Sequence, residues 1–386
     1  MNPTLRVAMI GHAFMGRAHA HAWRTAPRFF ELPLRPQLAV VVGRDEGRAA
    51  AAAENLGAEE SSADWRAVIA RDDIDLIDIC TPGDQHAEIA IAALRAGKHV
   101  LCEKPLARSV PEAEEMTEAA AASEGFAMCG FSYRRTPALA LAKRFVEEGR
   151  LGEIRHVRAQ YLQDWLSSSE APLTWRLDKD KAGSGALGDI GAHSIDTAQW
   201  LTGQGIDGVS AMLRTFVGDR PVLAEQAGLG GRAAEGAERG PVTVDDAAAF
   251  TATFAGGALG VFESTRMALG RRNANRIEIN GERGSVAFDF ERMNELEYYD
   301  GSDPEEAQGF RRIQVTEPSH PYAGNWWPTG HGLGYEHVFT HQVVDLVTAI
   351  ADGVQPTPSF ADALQVQRVL DAVERSASDS SRYTTV

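Results

Sequence analysis

The sequence predicts an α/β chain in two parts: a doubly wound parallel sheet over residues 1–132, then, over residues 133–386, an α/β domain with a large, mostly antiparallel open sheet. Three observations predict it. Strand and helix signals alternate through the first 130 residues, glycines punctuate the first strand-to-helix junction, and after Arg134 the rhythm changes to strand after strand. At 386 residues the chain also exceeds what one hydrophobic core usually serves.

The alternating part opens with an apolar strand, Leu5 to Ile10, and a helix from Met15 to Thr25. Gln37 to Val42 is the second strand, and the Ala-rich stretch Glu46 to Leu56 the second helix. A helix near Asp64 to Ala70 leads to the strand Ile74 to Cys80; helix Gln85 to Ala96, strand His99 to Cys102, helix Pro111 to Ser123 and strand Phe126 to Cys129 follow. Strands alternating with helices of this length imply βαβ units and a parallel sheet. Right-handed crossovers then give the doubly wound layout.

In the second part a helix, Leu139 to Glu148, precedes the strand Ile154 to Gln163, and a Gly-rich passage opens a helix from Ala186 to Leu201. Val209 to Val315 reads as antiparallel strands, with turns at Ala255-Gly256-Gly257 and Asn280-Gly281. Arg220 to Pro241, rich in Gly, Ala and Glu, is expected as an exposed loop inserted in that sheet. Two amphipathic helices, Tyr335 to Ala351 and Phe360 to Arg375, close the chain. No internal repeat is present.

Composition narrows the function classes. Lys plus Arg total 38 against 54 Asp plus Glu, a formal charge of −16, and such a field repels nucleic-acid backbones. An anionic cofactor must therefore be held locally, at helix N-termini and by a few cations. No apolar run is long enough to span a bilayer and the N-terminus carries no secretory pattern, so a cytoplasmic protein is expected. The three cysteines, Cys80, Cys102 and Cys129, form no C-x-x-C pair and sit in apolar runs, as small buried thiols do. Neither a disulfide framework nor a metal site is expected.

The junction after the first strand reads Gly11-His12-Ala13-Phe14-Met15-Gly16. A dinucleotide-binding turn uses one Gly for the tight bend, a small residue where backbone meets pyrophosphate, and a Gly for helix–strand packing. Gly11 and Gly16 meet the outer requirements, with Ala13 in the middle. After the second strand comes Val42-Gly43-Arg44-Asp45. A carboxylate there accepts from the ribose of NAD, whereas an Arg holds the 2′-phosphate of NADP. Gly43 and Arg44 tilt the reading toward NADP, and Asp45 keeps NAD open.

Two further segments carry candidate chemistry. Glu103-Lys104-Pro105 ends a parallel strand at the sheet edge where ligands bind in open α/β folds. The proline biases Lys104 away from helical angles, giving a sharp turn that projects its amine. Further on, Asp189 and His193 stand at i and i+4 in the Gly-rich helix, one beside the other on a helix face. A carboxylate beside an imidazole orients it and favours its protonated form. Taken singly, each segment is equally compatible with a surface turn or a packed helix face.

Together, the Glu103-Lys104-Pro105 turn, the Thr81-Pro82-x-x-x-His86 run and the Asp189-x-x-x-His193 helix resemble the glucose–fructose oxidoreductase/inositol dehydrogenase (Gfo/Idh/MocA) family, over nearly the whole chain and most of all its inositol and levoglucosan dehydrogenase-like members. Ala13 is the departure in the cofactor loop. The resemblance implies hydride transfer between NAD(P) and a secondary hydroxyl of a cyclic polyol or sugar. His193 is then the base, an imidazole with an ordinary pKa near 6.5. Lys104 bonds the same oxygen and Asp189 holds His193. Thr81, Pro82, His86 and Glu103 lie about the nicotinamide ribose, beside the loop residues Gly11, Ala13, Phe14, Met15, Gly16, Gly43 and Arg44. Lysine and imidazole are expected to meet beside one nicotinamide ring. The family also implies a homodimer or homotetramer paired through the second-domain sheet.

Sugar-binding groups are expected from the second part: Tyr133 and Arg134, Gln163, Trp175 and Arg176, and the passage Asn325-Trp326-Trp327 through His331. Tryptophan beside hydrogen-bonding side chains suits a sugar, with its apolar face and polar rim. His337 and His341 are spaced like a helical zinc pair, but the glutamate of H-E-x-x-H is missing, so they read as helix-surface or interface residues. Two other readings compete with the dehydrogenase: a non-catalytic dinucleotide-binding regulator and a metal-dependent hydrolase using those late histidines.

Overall fold

The computed structural model describes residues 2–223 and 236–386. They fall into two compact units, Met1–Ser132 with Gly334–Leu364, and Tyr133–Leu333 with Gln365–Val386.

In the first unit the chain runs β1 (Thr4–Ile10), α1 (Phe14–Phe29), β2 (Arg35–Val42), α2 (Glu46–Leu56), β3 (Glu60–Ser62), α3 (Trp65–Ile69), β4 (Leu76–Ile79), α4 (His86–Arg95), β5 (His99–Cys102), α5 (Val110–Ala122) and β6 (Ala127–Cys129). The six strands lie in the order β3-β2-β1-β4-β5-β6, every neighbouring pair parallel. Helices cover both faces of such a sheet, which is why Val7, Ala8, Met9, Val40, Val41, Ile77 and Leu101 are buried whichever way they point. Strand order reverses between β1 and β4, and in open α/β sheets ligands bind at the carboxyl ends of strands beside such a switch point. Asp45, Asp64 and Ser109 cap α2, α3 and α5 with side-chain oxygens, whereas Ala13 offers α1 none. The cysteines are all buried and free.

The second unit carries α6 (Pro137–Glu147), β7 (Ile154–Leu162), α7 (Lys179–Ala182), α8 (Ala192–Thr202), β8 (Ile206–Arg214), β9 (Asp219–Pro221), β10 (Arg239–Pro241), β11 (Ala247–Phe254), β12 (Leu259–Thr265), β13 (Ala274–Gly281), β14 (Gly284–Asp289), β15 (Glu295–Asp300) and β16 (Arg311–Gln314). Helices α9 (Tyr335–Asp352) and α10 (Phe360–Ser378) and the short β17 (Thr384–Thr385) end the chain. The nine-stranded sheet runs β16-β15-β14-β13-β7-β12-β11-β8-β17, antiparallel except between β7 and β12. Burial alternates strictly along β12, one face packed and one outward.

Two local expectations change. The turn expected at Asn280-Gly281 falls two residues later, because β13 continues through Gly281 and Asn280 pairs with Ser285. Gly281 instead permits a close approach: a Cβ there would stand 2.2 Å from the Leu151 carbonyl oxygen. In the inserted stretch 220–241, residues 224–235 lie outside the described residues; its two ends pair as the ribbon β9–β10. Arg220, expected to be exposed, is fully buried, its guanidinium donating to the carbonyls of Ser168 (2.7 Å) and Leu166 (2.8 Å). Backbone carbonyls satisfy its two terminal nitrogens, while Nε has no partner among the described residues.

Helix α9 belongs to the first unit, where it packs along α1. Three ring contacts mark the seam: Phe14–Tyr335, His19–Phe339 and Phe30–His341, with centroids 6.0, 5.6 and 5.9 Å apart. His341 is therefore buried, not on a helix surface, because α1 covers its face of α9. His337 accepts from the Gly334 N–H through Nδ1 (3.0 Å), capping its own helix. Beyond α9 the chain crosses the edge of the parallel sheet, where Cys129 N–H donates to the Pro358 carbonyl (2.9 Å). No helix among the described residues is long and apolar enough to cross a membrane.

Candidate active site

The first unit supplies a dinucleotide turn whose glycines are required by contact. Gly11 adopts φ +99°, and a Cβ on it would meet the Cys80 carbonyl oxygen at 2.6 Å. A Cβ on Gly16 would stand 2.2 Å from the Gly11 carbonyl oxygen, so α1 enters too close beneath the turn for any side chain. Ala13 and Phe14 are exposed at the start of α1, and Met15 is half-buried. With no side chain capping α1, its first N–H groups and the positive end of its dipole are left for an anion. A pyrophosphate fits these features.

At the end of β2, His12 fills the space over Gly43, where a Cβ would lie 2.5 Å from its Nε2. Arg44 is exposed, and Asp45 uses Oδ1 to accept the Arg48 N–H (2.7 Å) as the α2 cap. At the end of β4 the Thr81 hydroxyl is buried with no hydrogen-bond partner among the described residues, beside Pro82. An orphaned hydroxyl at this edge suits a cofactor oxygen. His86 is buried, with Nδ1 3.0 Å from the Pro105 carbonyl and Nε2 3.0 Å from that of Thr81. It ties together the turns after β4 and β5. Burial pushes this imidazole below its ordinary pKa against the pull of both carbonyls.

The turn after β5 holds Glu103, buried, and Lys104, half-buried, followed by a cis Lys104-Pro105 peptide. Beneath it lies a group with little sequence signal. His19 of α1 donates through Nδ1 to Asp78 Oδ1 (2.8 Å) and lies 3.1 Å from Glu103 Oε1 through Nε2; Trp23 donates from Nε1 to Asp78 Oδ2 (2.7 Å). Burial alone would strip the His19 proton, but Asp78 and its neighbours outweigh it and hold the imidazole well above its usual pKa. Cys80 is pushed up to about 12, by burial first and then by Asp78. That thiol is inert.

In the second unit the Gly-rich entry is not a plain α-helix. Leu187–Gly191 form a π-helical turn that runs into α8, so Asp189 lies in the wider turn and His193 in the α-helix that follows it. The cause is Asp245, whose carboxylate accepts the Gly185 N–H (2.7 Å) and the Leu187 N–H (2.8 Å). Arg266, wholly buried at the end of β12, donates from Nη1 to Asp189 Oδ2 (3.2 Å). Buried His193 stacks on Tyr133, centroids 4.4 Å apart and rings inclined by 20°.

A polar chain continues from that stack. Tyr161 O–H donates to Asn273 Oδ1 (2.7 Å), so the Tyr133–Tyr161 hydroxyl contact (3.0 Å) has Tyr133 donating. Gln163 Nε2 donates to the same oxygen (2.9 Å), and Trp165 Nε1 donates to Gln163 Oε1 (2.9 Å). Trp175 and Arg176 are half-buried, the guanidinium 4.4 Å over the indole. Arg134 is instead engaged with Asp196 through two nitrogens. Trp326 is half-buried; Trp327 and His331 are exposed, and His331 Nδ1 contacts the Pro328 carbonyl (2.8 Å). Tyr161, Trp165, Asn273, Asp245 and Arg266 escaped the sequence reading.

Residues 5–131 match the oxidoreductase family with an NAD-binding Rossmann fold, and residues 139–287 match the Gfo/Idh/MocA C-terminal domain. The chain is 44% identical to levoglucosan dehydrogenase of Pseudarthrobacter phenanthrenivorans, across 98% of this chain and 97% of that one. An oxidoreductase domain protein from Kribbella flavida is 61% identical with a TM-score of 0.94, over 100% of this chain and 99% of the other. A levoglucosan dehydrogenase in complex with NADH and levoglucosan matches at 42% identity and a TM-score of 0.92, over 99% of each. The parallel sheet with its glycine turn, the mostly antiparallel second sheet and full-length identity above 40% lead to one conclusion: this chain is a dehydrogenase of the Gfo/Idh/MocA oxidoreductase family.

Proposed function

We propose that this dehydrogenase oxidises a secondary hydroxyl of a pyranose-like sugar, with levoglucosan or an inositol as the nearest substrate chemistry. The observation that carries the substrate class is the second unit's polar chain, in which Tyr133 stacks His193 and hydroxyl, amide and indole groups are already paired with one another. A sugar's apolar face and polar rim match such a surface. Relatives complexed with NADH and levoglucosan support the same reading.

In this mechanism His193 takes the hydroxyl proton, its ring orientation fixed by Tyr133. Lys104 donates to the same oxygen and stabilises its developing negative charge. Asp189, anchored by Arg266, accepts from a sugar hydroxyl and helps place His193. Gly11, Gly16 and the start of α1 hold the pyrophosphate, with Ala13, Phe14 and Met15 along its edge. Thr81 and Pro82 border the nicotinamide ribose, and His86 acts by tying the turns, not by touching the cofactor. NAD supplies the hydride acceptor when bound. Gln163, Trp175, Arg176, Trp326 and His331 complete the sugar contacts. NAD is preferred, since His12 fills the room over Gly43; Arg44 is the residue to receive the extra phosphate of NADP.

The outward face of the second sheet exposes Met212, Leu259 and Val261 in adjoining rows, which supports a homodimer or homotetramer paired there. A cytoplasmic location is part of the same proposal. A panel of levoglucosan, myo-inositol and common pyranoses with NAD and NADP is expected to form reduced nicotinamide with at least one pair. Lys104→Ala and His193→Ala are each expected to lower kcat by about 100-fold or more while NADH still binds. Unchanged kcat in both would remove the assignment.

A further inference from the structure

Beneath the Glu103-Lys104-Pro105 turn, four polar side chains share a space closed to solvent: His19, Trp23, Asp78 and Glu103. Filling it with apolar groups of similar volume is often as stabilising as a buried ion cluster, or more so. The bonding here is also directional. A carboxylate accepts only, so an imidazole placed between the Asp78 and Glu103 carboxylates must present a proton on each nitrogen. Asp78 is further fixed by the Trp23 N–H. Glu103 is held on two sides, accepting from His19 at Oε1 (3.1 Å) and from the Lys104 backbone N–H at Oε2 (3.3 Å). Gly130 makes room for it, since a Cβ there would stand 2.6 Å from Glu103 Oε1.

We propose that His19 is a positioning residue: as an imidazolium bridging Asp78 to Glu103, it locks the Glu103 carboxylate against the Lys104 backbone and so fixes the direction of the Lys104 side chain. The bridge rests on the role given to Lys104 above and extends it to a residue on α1 that touches neither cofactor nor sugar. The groups facing His19 are Asp78, Cys80 and Glu103 from the strand ends, Trp23 from its own helix and Phe339 from α9. Among these only His19 carries positive charge. Its loss leaves two buried carboxylates without a counter-ion, and Glu103 free to turn.

The test uses the full-length enzyme with levoglucosan and NAD, in His19→Gln, His19→Asn, Glu103→Gln and the His19→Gln/Glu103→Gln pair. Thermal midpoint and NADH binding by fluorescence are read beside kcat and KM. Displacement of a catalytic group by about 1 Å lowers rate on the order of 100-fold, so kcat is expected to fall by that order in His19→Gln. KM for NAD and NADH affinity are expected to stay within about threefold, because the cofactor is held at the start of α1 and by Thr81 and Pro82. The double variant is expected to be no slower than Glu103→Gln, since both break one bridge. A His19→Gln enzyme with a lower thermal midpoint but unchanged kcat would overturn the bridge and leave His19 a packing residue. Additive losses in the double variant would overturn it too. Should His19→Gln fail to fold, Glu103→Gln reads the same bridge from its other end. Unchanged turnover in Lys104→Ala would sink the role of Lys104 itself, an outcome distinct from an active His19→Gln beside an inactive Lys104→Ala.

Discussion

Gly16 lies so near the first turn that even one methyl group would press on the Gly11 carbonyl. Gly16→Ala is therefore expected to lose about 1–3 kcal/mol of stability by overpacking, seen as a lower thermal midpoint, with weaker NADH binding from a displaced α1 start. Wild-type affinity in that variant would contradict the contact. At His19 the prediction is about pH. The folded imidazole titrates well above 6.5, its ordinary value, so its contribution is complete below that value and disappears as pH rises through the folded one. Denaturant unfolding of wild type and His19→Gln is expected to differ by about 3–5 kcal/mol near pH 6, and by less near pH 10. A gap that widens with pH would contradict an imidazolium. Gly16 left a trace in the sequence by its spacing, and Asp78, the partner of His19, left one as a lone charge in the apolar strand Leu76-Ile77-Asp78-Ile79. Only the first trace points to its partner, because a strand pattern does not say which helix side chain will lie above it.

At the scale of elements, the alternation of strands and helices was plain in the chain because parallel strands buried on both faces must be apolar throughout. The turn at Leu187–Gly191 was not plain. Periodicity describes a segment by its own residues, whereas this turn is shaped by Asp245, which lies far along the chain and accepts two of its N–H groups. Hydrogen bonds to a carboxylate contribute about 1.5–3 kcal/mol each. Asp245→Ala is thus expected to lower the thermal midpoint, raise KM for sugar through a loosened Asp189, and leave NADH affinity unchanged. Equal changes in sugar KM and NADH affinity would argue against a local effect. Arg266 was unreadable for a related reason: a charged residue just past a strand normally lies in solvent, and its acceptors, half-buried Asp189 and the buried Asp245 carbonyl, come from other segments. Tyr161 fell within a predicted strand and Asn273 within the long run of strands, and only pairing of β7 with β13 brings them together.

For the whole molecule, chain order and spatial grouping part company. The first unit is built from Met1–Ser132 and a return segment, Gly334–Leu364, that lays α9 along α1 and runs past β6. Val338, Phe339, Val343, Leu346 and Val347 of α9 are buried. A fragment ending at residue 132 is expected to expose the partners of these side chains, bind a hydrophobic dye and unfold without a sharp transition in near-ultraviolet circular dichroism. A fragment that melts cooperatively and binds NADH as well as the full chain would refute this. The return was hidden in the sequence because an amphipathic helix announces a buried face without naming what it covers.

That return has a consequence for biosynthesis. The nucleotide-binding half leaves the ribosome before the second, yet one of its layers, α9, is encoded only after residues 133–333 of the second unit. The earliest half to emerge must therefore wait through synthesis of nearly the entire second half with α1 uncovered on one side. A truncation anywhere in that later stretch removes a piece of both halves at once.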